Sequence, residues 1–245
     1  GQPFHRSFGT DFLHTGDVVH GIADQRQIID DALGRHTKFC NHTLAVEGFI
    51  AHGVHQLHVL AHQLGEILVA QGTYSQDWLL YDTDWNWRIE SKEGGALRAL
   101  GDIGSHWCDM AEHITGQRIT SLCADLQTFH KVRKKPTAEV ESFGKSTGET
   151  VDVAITSEDF AAVMLRLGDR ARGSFTVSQV SAGRKNRLSI EIYGTKGGAA
   201  WDQERPDELW LGRRDGPNGV MVKDPGLLMP GAQSYADLPG GHSEG

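Results

Sequence analysis

The sequence has little cysteine: its 245 residues include three, at positions 40, 108 and 123. Thiols so few and so scattered exclude a disulfide framework and favour a reducing compartment, so we expect a cytoplasmic protein. No apolar run reaches the roughly 18 residues that a membrane-spanning helix needs. Basic residues are also in deficit, with 24 Lys and Arg against 32 Asp and Glu. The formal net charge of −8 argues against a nucleic-acid or anionic membrane partner.

Nucleotide and metal motifs are missing as well. The chain contains neither GxGxxG nor GxxxxGK[ST], so no nucleotide-binding βαβ unit can be located, and it contains neither HExxH nor CxxC. His55, His58 and His62 fall on one face of a predicted helix, and imidazole nitrogens bind zinc. Because no carboxylate or cysteine completes the set, we predict that the chain holds no metal.

Histidine and the large aromatic residues are unevenly distributed. Nine of the 13 histidines lie in residues 1–62, whereas all six Trp and all four Tyr come at or after Tyr74. We therefore predict two parts: a histidine-rich leader over 1–64, and a domain over 65–245 that is truncated at its Pro/Gly-rich C-terminus. In the leader, helical periodicity predicts a short helix over 22–33 and an amphipathic helix over 43–64.

Residues after Gly65 show strand signals around one helix. Period-two alternation predicts strands over 66–76 and 118–129. Between them, apolar residues at helical spacing predict a helix over 102–116, with Asp102 as its N-cap and Gly116 just beyond its end. The polar segment 130–150, which includes Lys134, Lys135 and Pro136, predicts an exposed, solvated loop. Further apolar runs follow at 151–156, 161–167, 173–180, 187–193, 199–203 and 208–212.

Short turns divide these apolar runs. A parallel crossover needs a dozen or more residues, so short turns indicate mostly antiparallel pairing. The predicted fold class is therefore α+β, an open, mostly antiparallel or mixed β-sheet with helices packed on one face. A complete Rossmann domain is not found.

Asp102 and His106 form the strongest local pair of chemical groups, with Asp109 one turn further along the predicted helix. An imidazole titrates near neutral pH and can take a proton from an alcohol as hydride leaves the same carbon. A carboxylate one turn away would orient the ring and stabilise the imidazolium that forms. The alternative is a plain helix start, in which the aspartate caps and the histidine is a surface residue.

Aromatic and amide side chains cluster just after the first predicted strand. Rings that pack on C–H faces, with amides and a cation between them, suit a polyhydroxylated ligand. The alternative is a Trp-rich loop packed over the sheet. The residues are Tyr74, Gln76, Trp78, Tyr81, Trp85, Asn86, Trp87 and Arg88. A basic turn over 181–186, which ends in Asn186, either contacts the same ligand or is a solvated hairpin.

From Gly65 onward, several phrases in order resemble the C-terminal half of the Gfo/Idh/MocA oxidoreductases. They are LGEILVAQGTYSQDWL, GGALRALGDIGSHWCDM with a DxGxH segment, TSEDFAAVMLRLGDRARGSFTVSQVSAGRKN, IEIYGTKGGAAWDQERPDELWLG and PGGHSEG. The resemblance implies a substrate domain that often builds the oligomer, so we expect a homo-oligomer through the sheet face. It also implies NAD or NADP as cofactor, bound by a separate Rossmann domain.

The resemblance assigns roles to residues of this sequence. The family's DxGxH pair falls on Asp102 and His106, which implies that His106 is the acid/base and Asp102 its partner. Trp87 and Arg88 resemble a Trp-Arg pair that approaches the cofactor in some members. Substrate contacts are expected from a further set of side chains. These are Tyr74, Gln76, Trp78, Arg88 and Asn186.

The leader departs from the family pattern. The family's catalytic lysine lies in a Glu-Lys-Pro motif, but the only lysine before residue 65 is Lys38 and the only proline is Pro3. We hypothesise that residues 1–64 are a remnant or disrupted end of a nucleotide-binding domain. Two functions stay open: an NAD(P)-dependent oxidoreductase of a sugar or polyol, and a non-catalytic module that binds sugars or self-associates.

Overall fold

A computed structural model describes residues 48–138, 148–230, 232–233 and 236–242. The helix predicted over 22–33 lies outside the described residues. The described residues form three α-helices: α1 (Gly48–Ala61), the single turn α2 (Ser91–Gly94) and α3 (Ser105–Thr115). In the described part of the chain, no helix is both long and apolar enough to cross a membrane.

The described residues also form ten β-strands. Eight of them form one sheet in the order β10-β9-β8-β7-β1-β6-β5-β2, and β3 pairs with β4 in a separate hairpin. Their bounds are β1 Ile67–Ser75, β2 Ile119–Gln127, β3 Val132–Pro136, β4 Thr150–Ala154, β5 Phe160–Leu167, β6 Ala171–Ser178, β7 Arg187–Gly194, β8 Gly197–Asp202, β9 Glu208–Gly212 and β10 Gly219–Val222.

The large sheet is mixed. Strand β1 lies parallel to β6 and antiparallel to β7, and all other pairs of neighbouring strands in this sheet are antiparallel. In this register Tyr74 of β1 faces Val177 of β6 and Leu188 of β7. The predicted α+β class with an open, mostly antiparallel or mixed sheet is confirmed. The parallel pair brings the carboxyl ends of β1 and β6 together at one end of the sheet.

One face of the sheet is covered by α1 and α3, and the main core lies between them and the strands. Trp107 of α3 is fully buried, stacks on Phe175 of β6 with 4.4 Å between ring centroids, and donates its indole N–H to the carbonyl of Ser189. Gly72 permits this approach, since a Cβ there would lie 2.6 Å from the Trp107 indole nitrogen and 2.0 Å from the Ser189 carbonyl oxygen.

The end of the predicted leader packs into the same core. Val54, Leu57 and Leu60 of α1 are buried with the sheet residues. Gly53 allows the helix to lie close to the sheet, because a Cβ there would be 2.4 Å from the indole nitrogen of Trp201. The division of the chain at Gly65 stays a prediction.

Two sequence predictions are wrong in detail. The segment 130–150 is not simply an exposed loop, since Val132–Pro136 and Thr150–Ala154 pair as β3 and β4. In that hairpin Lys134 pairs with Asp152 and Lys135 with Glu90, so the two lysines are not just a solvated charge run. Strand β10 was not predicted, because its four mostly exposed residues at the sheet edge carry no apolar alternation.

Candidate functional site

The candidate site lies at the end of the sheet where β1 and β6 finish and the polypeptide turns into α3. Leu100–Gly104 make this turn. It is a wide helical turn, in which the N–H of Ser105 donates to the carbonyl of Leu100, five residues earlier, before the chain continues directly into α3. Such wide turns within helices are frequent at functional sites.

Asp102 does not cap this helix, so the N-cap prediction is wrong. Ala99 is already helical, and the N–H of Asp102 donates to the carbonyl of Arg98 at 2.7 Å. Glu158 provides the cap from outside the helix. Its carboxylate accepts the N–H groups of Arg98 and Leu100, at 2.9 and 2.7 Å, and its carbonyl accepts that of Ala99. The helix start is satisfied without Asp102, whose side chain is free to serve the site.

The carboxylate of Asp102 lies between a cation and an amide. The side-chain N–H of Gln179 donates to Oδ2 at 3.1 Å, and Nε of Arg88 lies 3.7 Å from the same oxygen. Arg88 in turn lies over the ring of Trp87, 4.5 Å from its centroid. The structure therefore brings together Asp102, Arg88 and Trp87, which the sequence singled out separately. The ring of Trp87 is 48% exposed and faces solvent beside them.

His106 begins the next turn of the helix after Asp102. Its ring lies 6.4 Å, centroid to centroid, from that of the buried Tyr74 at the end of β1. Asp109 lies one turn further on and is half-buried. Burial raises the pKa of Asp109, and the imidazoles of His113 and His106 act in the opposite direction. Tyr74 and His106, predicted as substrate contact and acid/base, are thus neighbours.

Three of the predicted substrate residues form a hydrogen-bonded row beyond Tyr74. The indole N–H of Trp78 donates to the side-chain carbonyl of Gln76 at 2.8 Å, and the amide of Gln76 donates to that of Asn186 at 2.8 Å. The basic turn 181–186 is held against this row, since Lys185 and the N–H of Gly183 both bind Asp77. The turn is exposed to solvent and is held at Asp77.

The remaining aromatic residues of the segment have other roles. Trp85 packs on a small separate core of Leu79, Ile89 and Ile155, and Lys135 lies over its ring. Tyr81 is exposed, and its backbone carbonyl accepts from Arg133. Trp85 thus packs on this separate core and not over the sheet, whereas Trp78 contacts Gln76 and Trp87 contacts Arg88.

A buried charge cluster underlies the site, and sequence reasoning missed it. Asp159 accepts from the guanidiniums of Arg98 and Arg133, and all three side chains are fully buried. Burial opposes the ionisation of Asp159, but the two guanidiniums outweigh it and hold its pKa below the ordinary value. The pKa of Glu158, in contrast, is raised by burial, although the backbone N–H groups that bind its carboxylate favour the charged form. The one sequence signal was position: Glu158 and Asp159 immediately precede a strand.

The histidines of α1 pack against α3. The ring of His113 stacks on that of His58 and lies edge-on to that of His55, with centroids 4.7 and 5.1 Å apart. Nδ1 of His58 donates to the carbonyl of His113 at 2.7 Å. Burial, together with the neighbouring imidazoles, lowers the pKa of both His55 and His113. Among the described residues, no three His, Cys, Asp or Glu are arranged to hold a metal ion.

Comparisons with known proteins support the fold. Over 148 residues, or 60% of this chain, the sequence is 32% identical to levoglucosan dehydrogenase of Pseudarthrobacter phenanthrenivorans and covers 37% of that protein. The structure is similar to that of an oxidoreductase domain protein from Kribbella flavida, with a TM-score of 0.64 and 29% identity, covering 80% of this chain and 52% of the other.

A third likeness concerns the fold alone. An inositol dehydrogenase homolog from Azotobacter vinelandii, solved in complex with NADH and myo-inositol, is matched with a TM-score of 0.64 and 22% identity. The match covers 81% of this chain and 47% of that one. The chain therefore spans about half, or less, of the length of the relatives it matches.

Fold and site together define an open-faced α+β domain with a polar cluster at the ends of its one parallel strand pair. Residues 58–200 match the GFO/IDH/MocA C-terminal domain. The chain belongs to the GFO/IDH/MocA family.

Proposed function

We propose that this chain is the substrate half of an NAD(P)-dependent oxidoreductase of a sugar, polyol or related hydroxylated compound, and that it acts in the cytoplasm. The observation that carries the proposal is the placement of Asp102 and His106 one helical turn apart, with the ring of His106 6.4 Å from that of Tyr74, two residues before Gln76 of the row. The named activities of the relatives, on levoglucosan and with myo-inositol, support the same substrate class. Residues 65–245 are proposed as the substrate and oligomerisation domain.

The substrate would lie between Tyr74, His106 and the row formed by Trp78, Gln76 and Asn186. Amide groups offer both donors and acceptors, which vicinal hydroxyls require, and aromatic faces accept the C–H side of a sugar ring. Arg88 would add a cationic donor from the side of Asp102. This combination of apolar faces and paired polar groups is typical of a small-molecule site.

In the proposed reaction an imidazole nitrogen of His106 takes the proton of the reacting hydroxyl. Asp102 holds negative charge one turn away and stabilises the imidazolium that forms. NAD(P)+, when bound, supplies the acceptor for the hydride that leaves the same carbon, so the alcohol becomes a carbonyl compound. The exposed ring of Trp87 and the guanidinium of Arg88 fit one edge of such a cofactor, as a flat surface and a cation. The phosphate-binding glycines are not part of this sequence.

We also propose a second copy of this chain as partner, through the sheet face not covered by helices. This face contains a shallow concavity of about 730 Å³ lined by short side chains such as Thr73, Ser174 and Thr176. Met164, 64% exposed, stands beside it. Sedimentation of wild type and Met164→Glu tests the proposal: a dimer or larger species that the variant converts to monomer supports it, and a monomeric wild type overturns it.

The second candidate function is a sugar-binding or self-associating module without redox activity. The absence of GxGxxG and of Glu-Lys-Pro from the sequence favours it for this chain taken alone. Two titrations separate the candidates. Calorimetry with myo-inositol and levoglucosan measures polyol binding, and the fluorescence of NADH measures cofactor binding. Binding of both supports the oxidoreductase, binding of polyol without NADH leaves the module standing as the function of this chain taken alone, and binding of neither overturns both.

A further inference from the structure

Gln179, the residue immediately after β6, is completely buried between Asp102 and Arg98. Nη1 of Arg98 donates to its side-chain carbonyl at 3.3 Å, and its side-chain amide donates to Oδ2 of Asp102 at 3.1 Å. A guanidinium only donates and a carboxylate only accepts, so this amide orientation is the one that satisfies both partners. Gln179 therefore connects a buried cation to the carboxylate of the site.

The far end of this connection is held rigidly. Arg98 binds Asp159, which also binds Arg133 at 2.8 Å. The second carboxylate oxygen of Asp159 accepts the backbone N–H groups of Phe129 and His130, at 2.6 and 3.1 Å. A buried network that satisfies most of its members fixes their orientation strongly. The position of the Gln179 amide is therefore determined from beneath the site, independently of any ligand.

We infer that Gln179 is the positioning residue of the active site, holding Asp102 as an acceptor directed at His106. The inference rests on the proposed function. The amide of Gln179 and the guanidinium of Arg88 both contact Oδ2 of Asp102. Within the described contacts this leaves Oδ1 to orient the imidazole one turn further on. Gln179 also lies between the guanidinium of Arg98, which is paired with Asp159, and the carboxylate of Asp102.

Two substitutions separate positioning from packing. Gln179→Met keeps the volume of the side chain and removes both hydrogen bonds. Gln179→Glu keeps an acceptor for Arg98 but places a carboxylate where Asp102 needs a donor. If Gln179 has a purely structural role, each variant should lose activity only in proportion to its loss of folded protein. The positioning role predicts that both variants lose more activity than the loss of folded protein, measured by circular dichroism, accounts for.

A spectroscopic test needs neither substrate nor cofactor. In a ¹H–¹⁵N spectrum of the full chain, the Gln179 side-chain amide is assigned by its loss in Gln179→Met. We expect one of its protons to be shifted downfield by the carboxylate, and to return toward the position of a free glutamine in Asp102→Asn. An unchanged amide in Asp102→Asn would overturn the inference. A variant in which Arg98 is replaced would not serve, because its loss strands the buried charge of Asp159.

Kinetics on the wild type and the same variants, each joined to a nucleotide-binding domain of the family, complete the test. We expect kcat for oxidation of the polyol that binds to fall about 10- to 100-fold in both, with KM within about twofold, as for the loss of one charge-assisted hydrogen bond. In Gln179→Glu the loss should shrink as pH falls, because the introduced carboxyl regains a donor when protonated. A wild-type kcat in a folded variant, or a loss independent of pH in Gln179→Glu, overturns the inference. If the wild type turns over no polyol, the proposed function fails and the spectroscopic result alone decides the role of Gln179.

Discussion

The carboxylate of Glu158 accepts the backbone N–H of Leu100 at 2.7 Å, across 58 residues of sequence. The cap of the helix that carries the site is thus supplied by the turn before β5, not by the helix itself. This arrangement has a chemical consequence. A side chain that caps a helix has its oxygens committed to backbone N–H groups, whereas Asp102 makes its contacts with Arg88 and Gln179 and stays available to the site.

The cap predicts a loss of stability on substitution. Glu158→Ala leaves the N–H groups of Arg98 and Leu100 buried without this acceptor, and each such group costs about 1–3 kcal/mol. We expect the free energy of unfolding in urea, followed by circular dichroism, to fall by about 2–4 kcal/mol. The exposed carboxylate of Glu93 in α2 provides the control, since Glu93→Ala should change it by less than about 0.5 kcal/mol. Equal effects of the two substitutions would refute the capping role.

Gly72 predicts a second, purely steric effect. In Gly72→Ala the new methyl group would meet the Ser189 carbonyl oxygen at 2.0 Å and the Trp107 indole at 2.6 Å. The strand or the helix must move, and overpacking of this kind costs about 1–3 kcal/mol or more. Thermal unfolding should therefore shift to lower temperature. Gly219→Ala on β10 is the matched control, since nothing lies within 4 Å of its Cβ position, and a similar shift there would contradict the explanation.

The imidazoles between α1 and α3 predict a stability that depends on pH. The pKa of His55 and of His113 lies below the ordinary value of 6.5 in the folded protein. Below about pH 6.5 the unfolded chain therefore binds more protons than the folded one, and the free energy of unfolding falls as pH falls. Asp109, whose pKa is raised, acts in the opposite sense closer to its ordinary 3.8.

Urea unfolding at a series of pH values measures this dependence. We expect the decline between pH 6.5 and 5 to be smaller in His113→Gln than in the wild type, because one titrating group is gone. His242→Gln, which replaces an exposed histidine, should leave the slope unchanged. If His113→Gln retains the full slope, the imidazole cluster is not its source.

The row beyond Tyr74 predicts how the site recognises hydroxyl groups. Trp78→Phe keeps an aromatic ring but removes the N–H that holds the side-chain carbonyl of Gln76. The amide of Gln76 then loses its orientation, and we expect the affinity for myo-inositol or levoglucosan to fall about five- to tenfold, as for one hydrogen bond. Trp210→Phe on β9 is the control. Calorimetry that finds equal affinities in wild type and Trp78→Phe would remove the row from the substrate site.

Much of the fold could be predicted because local patterns encode it. Strands β5 and β6 alternate buried and exposed residues, and α3 buries one face, so period-two and helical spacing identify them. The site was only partly predictable. An aspartate before an apolar helical face has the same pattern whether it caps the helix or lies in a wide turn. Here Glu158 accepts the N–H groups at the start of the helix, so Asp102 lies in the wide turn and does not cap.

The site residues that the sequence did not reveal are held by polar contacts between residues far apart in the chain. Gln179 reaches Asp102 across 77 residues, and Arg98 reaches Asp159 across 61. No local period marks such partners, and their buried amide or charged groups make them look like loop residues in the sequence. The edge strand β10 was missed for a different reason, since its exposed residues contribute little to the core.

We propose His106 as the acid/base of a polyol oxidoreductase. The rate of NADH formation tests this role most directly. When the wild-type chain is joined to a nucleotide-binding domain of the family, it should form NADH from NAD+ in the presence of myo-inositol or levoglucosan. In His106→Ala the rate should fall at least about 100-fold, while the affinity for the polyol stays within about threefold and the circular dichroism spectrum is unchanged. Turnover by His106→Ala at the wild-type rate, or polyol binding by the wild type without any NADH formation, would contradict it.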